Sequence, residues 1–215
     1  MIRRLLIAAL LSASLTACQS ISQPPQSASA AVDDSGWYIG SMPDKPFDVP
    51  LVDRSRMDAK YARQTVAYDG PEKPGSIVVD IDERMLYLVQ PEGRAIRYGV
   101  GVGKQGFSWR GIASVGRKGV WPNWSPTKTM VGIKPELPRH MEAGIDNPLG
   151  ARALYLHQNG ADTLFRIHGT NEPWSIGEQV SSGCVRMLNE DVVDLYERVP
   201  VGTTVFVKRN GRYRV

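Results

Sequence analysis

Between residues 96 and 102 the chain alternates. Ile96, Tyr98, Val100 and Val102 are separated by Arg97, Gly99 and Gly101, the period of a half-buried strand. This is the third of three β-rich runs in SIVVDIDERMLYLVQPEGRAIRYGVGVG, which begins at Ser76. Asp82–Glu83–Arg84 and Pro91–Glu92–Gly93 supply the turn chemistry between them. GIASVGRKGVW predicts a further strand with glycine breaks, and ALYLHQ and LFRIHG predict two more around the turn NGAD. NEDVVDLYERV predicts a helix, with Asn189 as N-cap, Glu190 and Asp191 in the first turn, and Val192, Val193, Leu195 and Tyr196 on an apolar side. TTVFVK closes with a strand. The pattern as a whole predicts a mostly β domain, a sandwich or barrel-like core with one well-signalled helix. Residues 125–150, rich in proline and glycine, predict a long loop with at most a short helix. A loop of that length inside a compact domain is usually functional.

The first seventy-five residues read differently. MIRRLLIAALLSASLTACQS carries Arg3 and Arg4, then an apolar run, then small residues before a cysteine. That is the layout of an exported bacterial signal sequence, too short to be a spanning helix. Its end, LTAC, resembles a lipobox, which implies cleavage before Cys18 and a diacylglycerol on that sulfur; an ordinary secretory signal is the alternative. Gln19 in the second mature position then favours an outer-membrane anchor facing the periplasm. The following stretch, rich in Ser, Pro, Gln and Ala, has too little apolar surface to fold and is expected to be a flexible tether. The chain therefore divides into a signal peptide (1–17), a lipidated Cys18 and tether (18–35), an N-terminal extension (36–75), a catalytic domain (76–208) and a short tail (209–215). In the extension, Trp37, Tyr38, Phe47, Tyr61 and Tyr68 suggest packing, and RMDAKYARQTVAY suggests a short helix running into a strand.

Composition narrows the chemistry. The formal charge of +4 falls to about +2 once Arg3 and Arg4 are removed, so the surface is mildly basic. No basic run is interleaved with aromatics, so nucleic acid is not an expected partner, while an anionic cell-wall substrate is compatible. There are two cysteines. If Cys18 carries lipid, Cys184 has no intramolecular partner, and in an oxidising compartment a spare thiol is a liability unless it has a use. A buried structural cysteine is the alternative, against which the small, polar SSGC speaks. A thiolate is the nucleophile, and forming it near neutral pH needs a base or a positive environment. His168 ends a predicted strand, and Cys184 lies just ahead of the predicted helix. The loop NEPWSIGEQVSSG between them permits contact without requiring it. Gly183 lets a carbonyl approach the backbone amides beside the nucleophile, although a turn glycine has the same sequence signature. The Gly169 carbonyl is a candidate to hold the His168 ring. Arg186 is a candidate for a substrate carboxylate, with Ser182, Trp124 and Trp174 as groove residues; a surface arginine and core aromatics are the alternatives. His140 and His157 show no metal-ligand spacing with His168, so neither a metal nor a cofactor is expected.

HGTNEPWSIGEQVSSGCVRM closely resembles the signature of the YkuD-type L,D-transpeptidases. The resemblance extends over roughly residues 76–208 and takes in GVGVGK, WPNWSPT and DNPLGARALYL. It implies Cys184 as nucleophile, His168 as base, the Gly169 carbonyl as third member, and the Gly183 and Cys184 amides as an oxyanion hole. Many members have His immediately before the Gly-Cys, where this chain has Ser182, which leaves His168 as the candidate base. The implied reaction is acyl transfer on peptidoglycan stem peptides. The implied acceptors are a second stem, a lysine of an anchored outer-membrane lipoprotein, a free D-amino acid, or water. A non-catalytic wall-binding lipoprotein is the competing class.

Overall fold

The computed structural model describes residues 36–104 and 109–213. The expected signal sequence, the lipid site Cys18 and the tether lie outside the described residues. The described chain is mostly β. Strands β1 (Tyr38–Met42) and β2 (Val49–Val52) form a hairpin in the N-terminal extension, followed by 3₁₀ turns at Arg54–Arg56 and Ala59–Tyr61 and by β3 (Gln64–Ala67). Next come β4 (Ile77–Asp80), β5 (Met85–Gln90), β6 (Arg94–Gly99), β7 (Val102–Gly103) and β8 (Gly111–Val120). Helix α1 (Lys128–Ile133) sits inside the long 125–150 segment, with the Thr127 hydroxyl capping it through the Met130 amide. The chain ends with β9 (Arg152–Gln158), β10 (Ala161–His168), β11 (Gln179–Ser181), β12 (Val185–Arg186), α2 (Asn189–Arg198) and β13 (Thr204–Lys208).

Nine strands make one mixed sheet in the order β12-β10-β9-β8-β13-β4-β5-β6-β3, and β11 pairs with β7 in a separate ribbon. Local chemistry fixes the hairpins. Asp80 Oδ1 accepts the Asp82 and Glu83 amides at 3.0 and 3.1 Å and turns β4 into β5. Asn159 and Gly160 both take positive φ, 51° and 78°, the pair of conformations that a two-residue turn between twisted strands requires. Beyond β6, Gly101 exchanges backbone hydrogen bonds of 2.9 and 2.8 Å with Arg186 of β12. That bridge draws the β12 end of the sheet back toward the β6 end, which gives the barrel-like closure the sequence predicts. The side chains of Ile77, Val79, Leu86, Leu88, Tyr98, Leu154, Leu156 and Ile167 fill the interior with Val192 and Leu195 of α2. Full burial of each aliphatic side chain contributes about 1.5–3 kcal/mol before entropy is counted.

The short helix running into a strand is present as the 3₁₀ turn Ala59–Tyr61, capped by Asp58, and β3, with a second 3₁₀ turn capped by Asp53 ahead of it. One sequence expectation is corrected. Asn189 does not cap α2: the cap position is Leu188, with no side-chain cap bond, and the Asn189 side chain turns instead to the loop after His168. The acids of the first turn are where the sequence puts them, at the positive end of the helix. They also receive the extension: Arg54 contacts Glu190 at 3.3 Å and Asp191 at 2.8 Å, and the Val52 amide donates to Glu190. Burial pushes the Glu190 carboxyl up to about 6, against the pull of Arg54. On the far side, Arg152 is held by both oxygens of Asp44, at 2.7 and 2.9 Å. Residues 36–67 therefore pack as part of the body of the domain.

Candidate active site

The parallel pairing of β10 with β12 sets the site. Ile167 stands opposite Val185 and His168 opposite Arg186, so Cys184, one residue before Val185, falls beside Arg166. Side chains alternate across a strand. Ile167 and Val185 point into the core, at 0% and 6% exposure. Arg166, His168, Cys184 and Arg186 therefore share the other face, and all four line one cavity of about 570 Å³. Cys184 lies just before β12, and it and His168 line the same cavity.

His168 is buried, and its Nδ1 lies 2.5 Å from the Gly169 carbonyl oxygen. A carbonyl only accepts, so Nδ1 carries the proton and Nε2 keeps its lone pair. Burial pushes the imidazole down to about 3, and the positive charges of Arg186 and Arg166 act in the same direction, outweighing the Gly169 bond. Cys184 is half-buried. Burial pushes its thiol up, and the backbone and charge of Arg166 and the charge of Arg186 pull it back only in part. Both shifts disfavour ions, so at rest the thiol and the imidazole are neutral. Alkylation of Cys184 by iodoacetamide should therefore rise with pH through and beyond the ordinary thiol range near ~8.5. A rate already flat below pH 7 would instead mean a preformed thiolate–imidazolium pair.

The turn before the cysteine is stapled by Ser181. Its hydroxyl donates to the Cys184 carbonyl at 2.6 Å and accepts the Gly183 amide at 3.1 Å. Gly183 sits at φ +131°, a conformation L side chains rarely adopt, so the backbone itself requires glycine here. Its amide, assigned from sequence to an oxyanion hole, is occupied by Ser181 in this structure. The Cys184 amide has no acceptor among the described residues.

The remaining assignments divide. Trp124 is buried and, with the exposed Ser182, lines both the main cavity and a neighbouring one of about 270 Å³. The long 125–150 segment contributes Ser125, Thr127, Met130 and Pro148 to the main cavity. Trp174 lines neither cavity. It is half exposed and packs on Trp37 of the extension at 6.1 Å between centroids, so its assignment to the groove is withdrawn. Arg186 is present, but its guanidinium is ion-paired with Glu172, so it does not stand as an open carboxylate receptor. His157 packs under Gly116 and His140 pairs with Glu142, both apart from His168. Arg166, Tyr155 and Arg117, not singled out by any motif, also line the main cavity. Arg166 is gripped by both oxygens of Asp162 at 2.7 and 2.9 Å, and its guanidinium and that of Arg117 lie over Tyr155 at 4.6 and 3.4 Å from the ring centroid. The period of two in LFRIHG was the available signal: with Ile167 inward, Arg166 must share a face with His168.

A cysteine and a buried histidine line one cleft in a barrel-like sheet. The chain belongs to the YkuD family, the L,D-transpeptidase catalytic domain, whose family model matches residues 74–207. It is similar to the probable L,D-transpeptidase ErfK/SrfK of Escherichia coli (strain K12), 36% identical over 138 residues, covering 60% of this chain and 42% of that protein. It is also similar to the probable L,D-transpeptidase YcfS of the same strain, 34% identical over 166 residues, covering 73% and 50%. The chain thus spans about half the length of the curated relatives it matches. A solved structure from Brucella melitensis, described as a probable carnitine operon oxidoreductase, is 48% identical, covers 70% of this chain and 96% of its own, and superposes with a TM-score of 0.48.

Proposed function

We propose that this protein is a peptidoglycan L,D-transpeptidase working through a Cys184 thioester. The observation that supports the reading is the one cavity lined by both Cys184 and His168, with the His168 Nδ1 engaged by the Gly169 carbonyl so that Nε2 keeps its lone pair. The sulfur attacks the carbonyl of the L-centre at position three of a tetrapeptide stem while Nε2 takes the thiol proton. The Cys184 amide, unengaged among the described residues, donates to the developing oxyanion, and the Gly183 amide joins it if Ser181 releases it. The tetrahedral intermediate collapses, the C–N bond to D-alanine breaks, and the imidazolium returns its proton to the departing amine. The thioester then passes to an acceptor amine: a second stem's side chain, a lysine of an anchored lipoprotein, or a free D-amino acid. Water in that place gives hydrolysis. Dividing one hard displacement into two is the purpose of the covalent intermediate. A lipid on Cys18 would hold the enzyme at the outer membrane, facing the wall in the periplasm.

Cys184→Ala tests this against a non-catalytic wall-binding role. D-alanine release from tetrapeptide stems should fall below detection while the thermal unfolding midpoint stays within a few degrees. Release at the wild-type rate would contradict the reading.

A further inference from the structure

The side chain of Asn189 is a buried polar group that the mechanism above does not use, at 3% exposure. Every hydrogen bond it makes is to backbone around the catalytic histidine. Its Oδ1 accepts the Thr170 amide at 3.2 Å and the Ala151 amide at 3.0 Å, and its Nδ2 donates to the Thr170 carbonyl at 2.9 Å. The Thr170 N–H and the Gly169 C=O belong to one peptide unit. On one side of that unit the carbonyl accepts the proton of His168 Nδ1; on the other, the N–H is held by Asn189. The packing is built for this contact. A Cβ on either Gly150 or Gly169 would lie 2.1 Å from Asn189 Oδ1.

We propose that Asn189 is a positioning residue: it fixes the plane of the Gly169–Thr170 peptide, and through that carbonyl it selects the tautomer and orientation of His168. The inference rests on the reading of His168 as the base. An amide with its N–H engaged is a better acceptor at its oxygen, since bonds in a chain polarise one another. A peptide plane pinned on the Thr170 side cannot tilt its carbonyl away from the imidazole. Without Asn189 the plane is free to rotate, and the proton can move from Nδ1 to Nε2, where it blocks attack on the thiol. The α2 start thus has a use other than the capping its sequence suggests.

The test compares the wild type with Asn189→Ala and Asn189→Asp, which keeps the Oδ1 acceptor for the Thr170 amide and loses the Nδ2 donor to the Thr170 carbonyl. In protein labelled with ¹⁵N-histidine at pH 7, the wild type should show His168 protonated at Nδ1 alone, and Asn189→Ala a mixture of tautomers. D-alanine release should fall about 10- to 100-fold in Asn189→Ala, the range expected when a reacting group is misplaced by up to ~1 Å. Iodoacetamide alkylation of Cys184 at pH 9.5, which needs only the thiolate, should change by less than about threefold. Asn189→Asp should keep the Nδ1–H tautomer and recover most of the rate. A wild-type tautomer in Asn189→Ala overturns the proposal, as does equal loss of both reactions. If the alanine variant does not fold, Asn189→Asp decides alone: retention of the tautomer supports the proposal and a mixed tautomer overturns it. A wild type that releases no D-alanine defeats the functional reading, and the tautomer spectra still decide the role of Asn189.

Discussion

His168→Gln should lower D-alanine release by about 10²- to 10⁴-fold, the usual worth of a positioned general acid and base. Glutamine can still donate toward the Gly169 carbonyl, yet it cannot take a proton from sulfur. The loss should be large because burial holds the Cys184 thiol above its ordinary value, so little thiolate exists at neutral pH without a base. The direction of the His168 shift matters equally. An imidazole pushed down to about 3 stays neutral, and so competent as a base, at every pH from about 5 upward. The acid limb of the wild-type pH–rate profile should therefore lie well below the ordinary histidine value of ~6.5. Iodoacetamide alkylation of the variant at pH 9.5 should stay within about threefold of the wild type, which separates lost chemistry from lost fold. A variant that releases D-alanine within tenfold of the wild type would remove His168 from the mechanism.

Asp44→Ala should have the largest effect on stability, about 3–5 kcal/mol, the cost of leaving a buried charge without its partner. Arg152 is 5% exposed, and its guanidinium is gripped by both Asp44 oxygens, one of which also accepts the Trp121 indole at 2.8 Å. Burial works to raise the Asp44 carboxyl, but the bonds from Arg152, the Lys45 amide and Trp121 outweigh it and the net shift is downward. A depressed carboxyl contributes stability that is present above its unfolded value near ~3.9 and is lost as pH falls below that. Urea unfolding at pH 7 and pH 3 should show the difference between wild type and variant shrink in acid. Combining Asp44→Ala with Arg152→Met should recover much of the loss, since no unpaired charge remains. A single variant within about 1 kcal/mol of the wild type would mean that the extension is not tied to the domain through this pair.

Local signals carried far in this chain. The Asn-Gly turn at 159–160 and the apolar side of 192–196 recur in the structure, because each depends on near neighbours in sequence, whereas the run 96–102 is not one alternating strand: β6 ends at Gly99, Val102 belongs to the separate β7, and residues 98–103 are buried throughout. Cys184 and His168, singled out in sequence as residue types with few other uses in those surroundings, line one cavity. What was not legible depends on register between distant segments. β7 and β12 are two residues each, too short for any period, and only their partners define them. Arg186 looks free in sequence, and Glu172, fourteen positions upstream, takes it. Trp174 looks like a groove residue until the extension supplies Trp37. Asn189 carries a cap signal, but three backbone groups around the histidine loop compete for the same side chain and win.

The central claim is a covalent bond between Cys184 and a stem peptide. Intact-mass spectrometry of the wild type, quenched in acid during turnover of a tetrapeptide donor, measures that bond. The account predicts a gain equal to the donor minus D-alanine, mapped to the peptide containing Cys184. No adduct under turnover, or an adduct on any other residue, would contradict it.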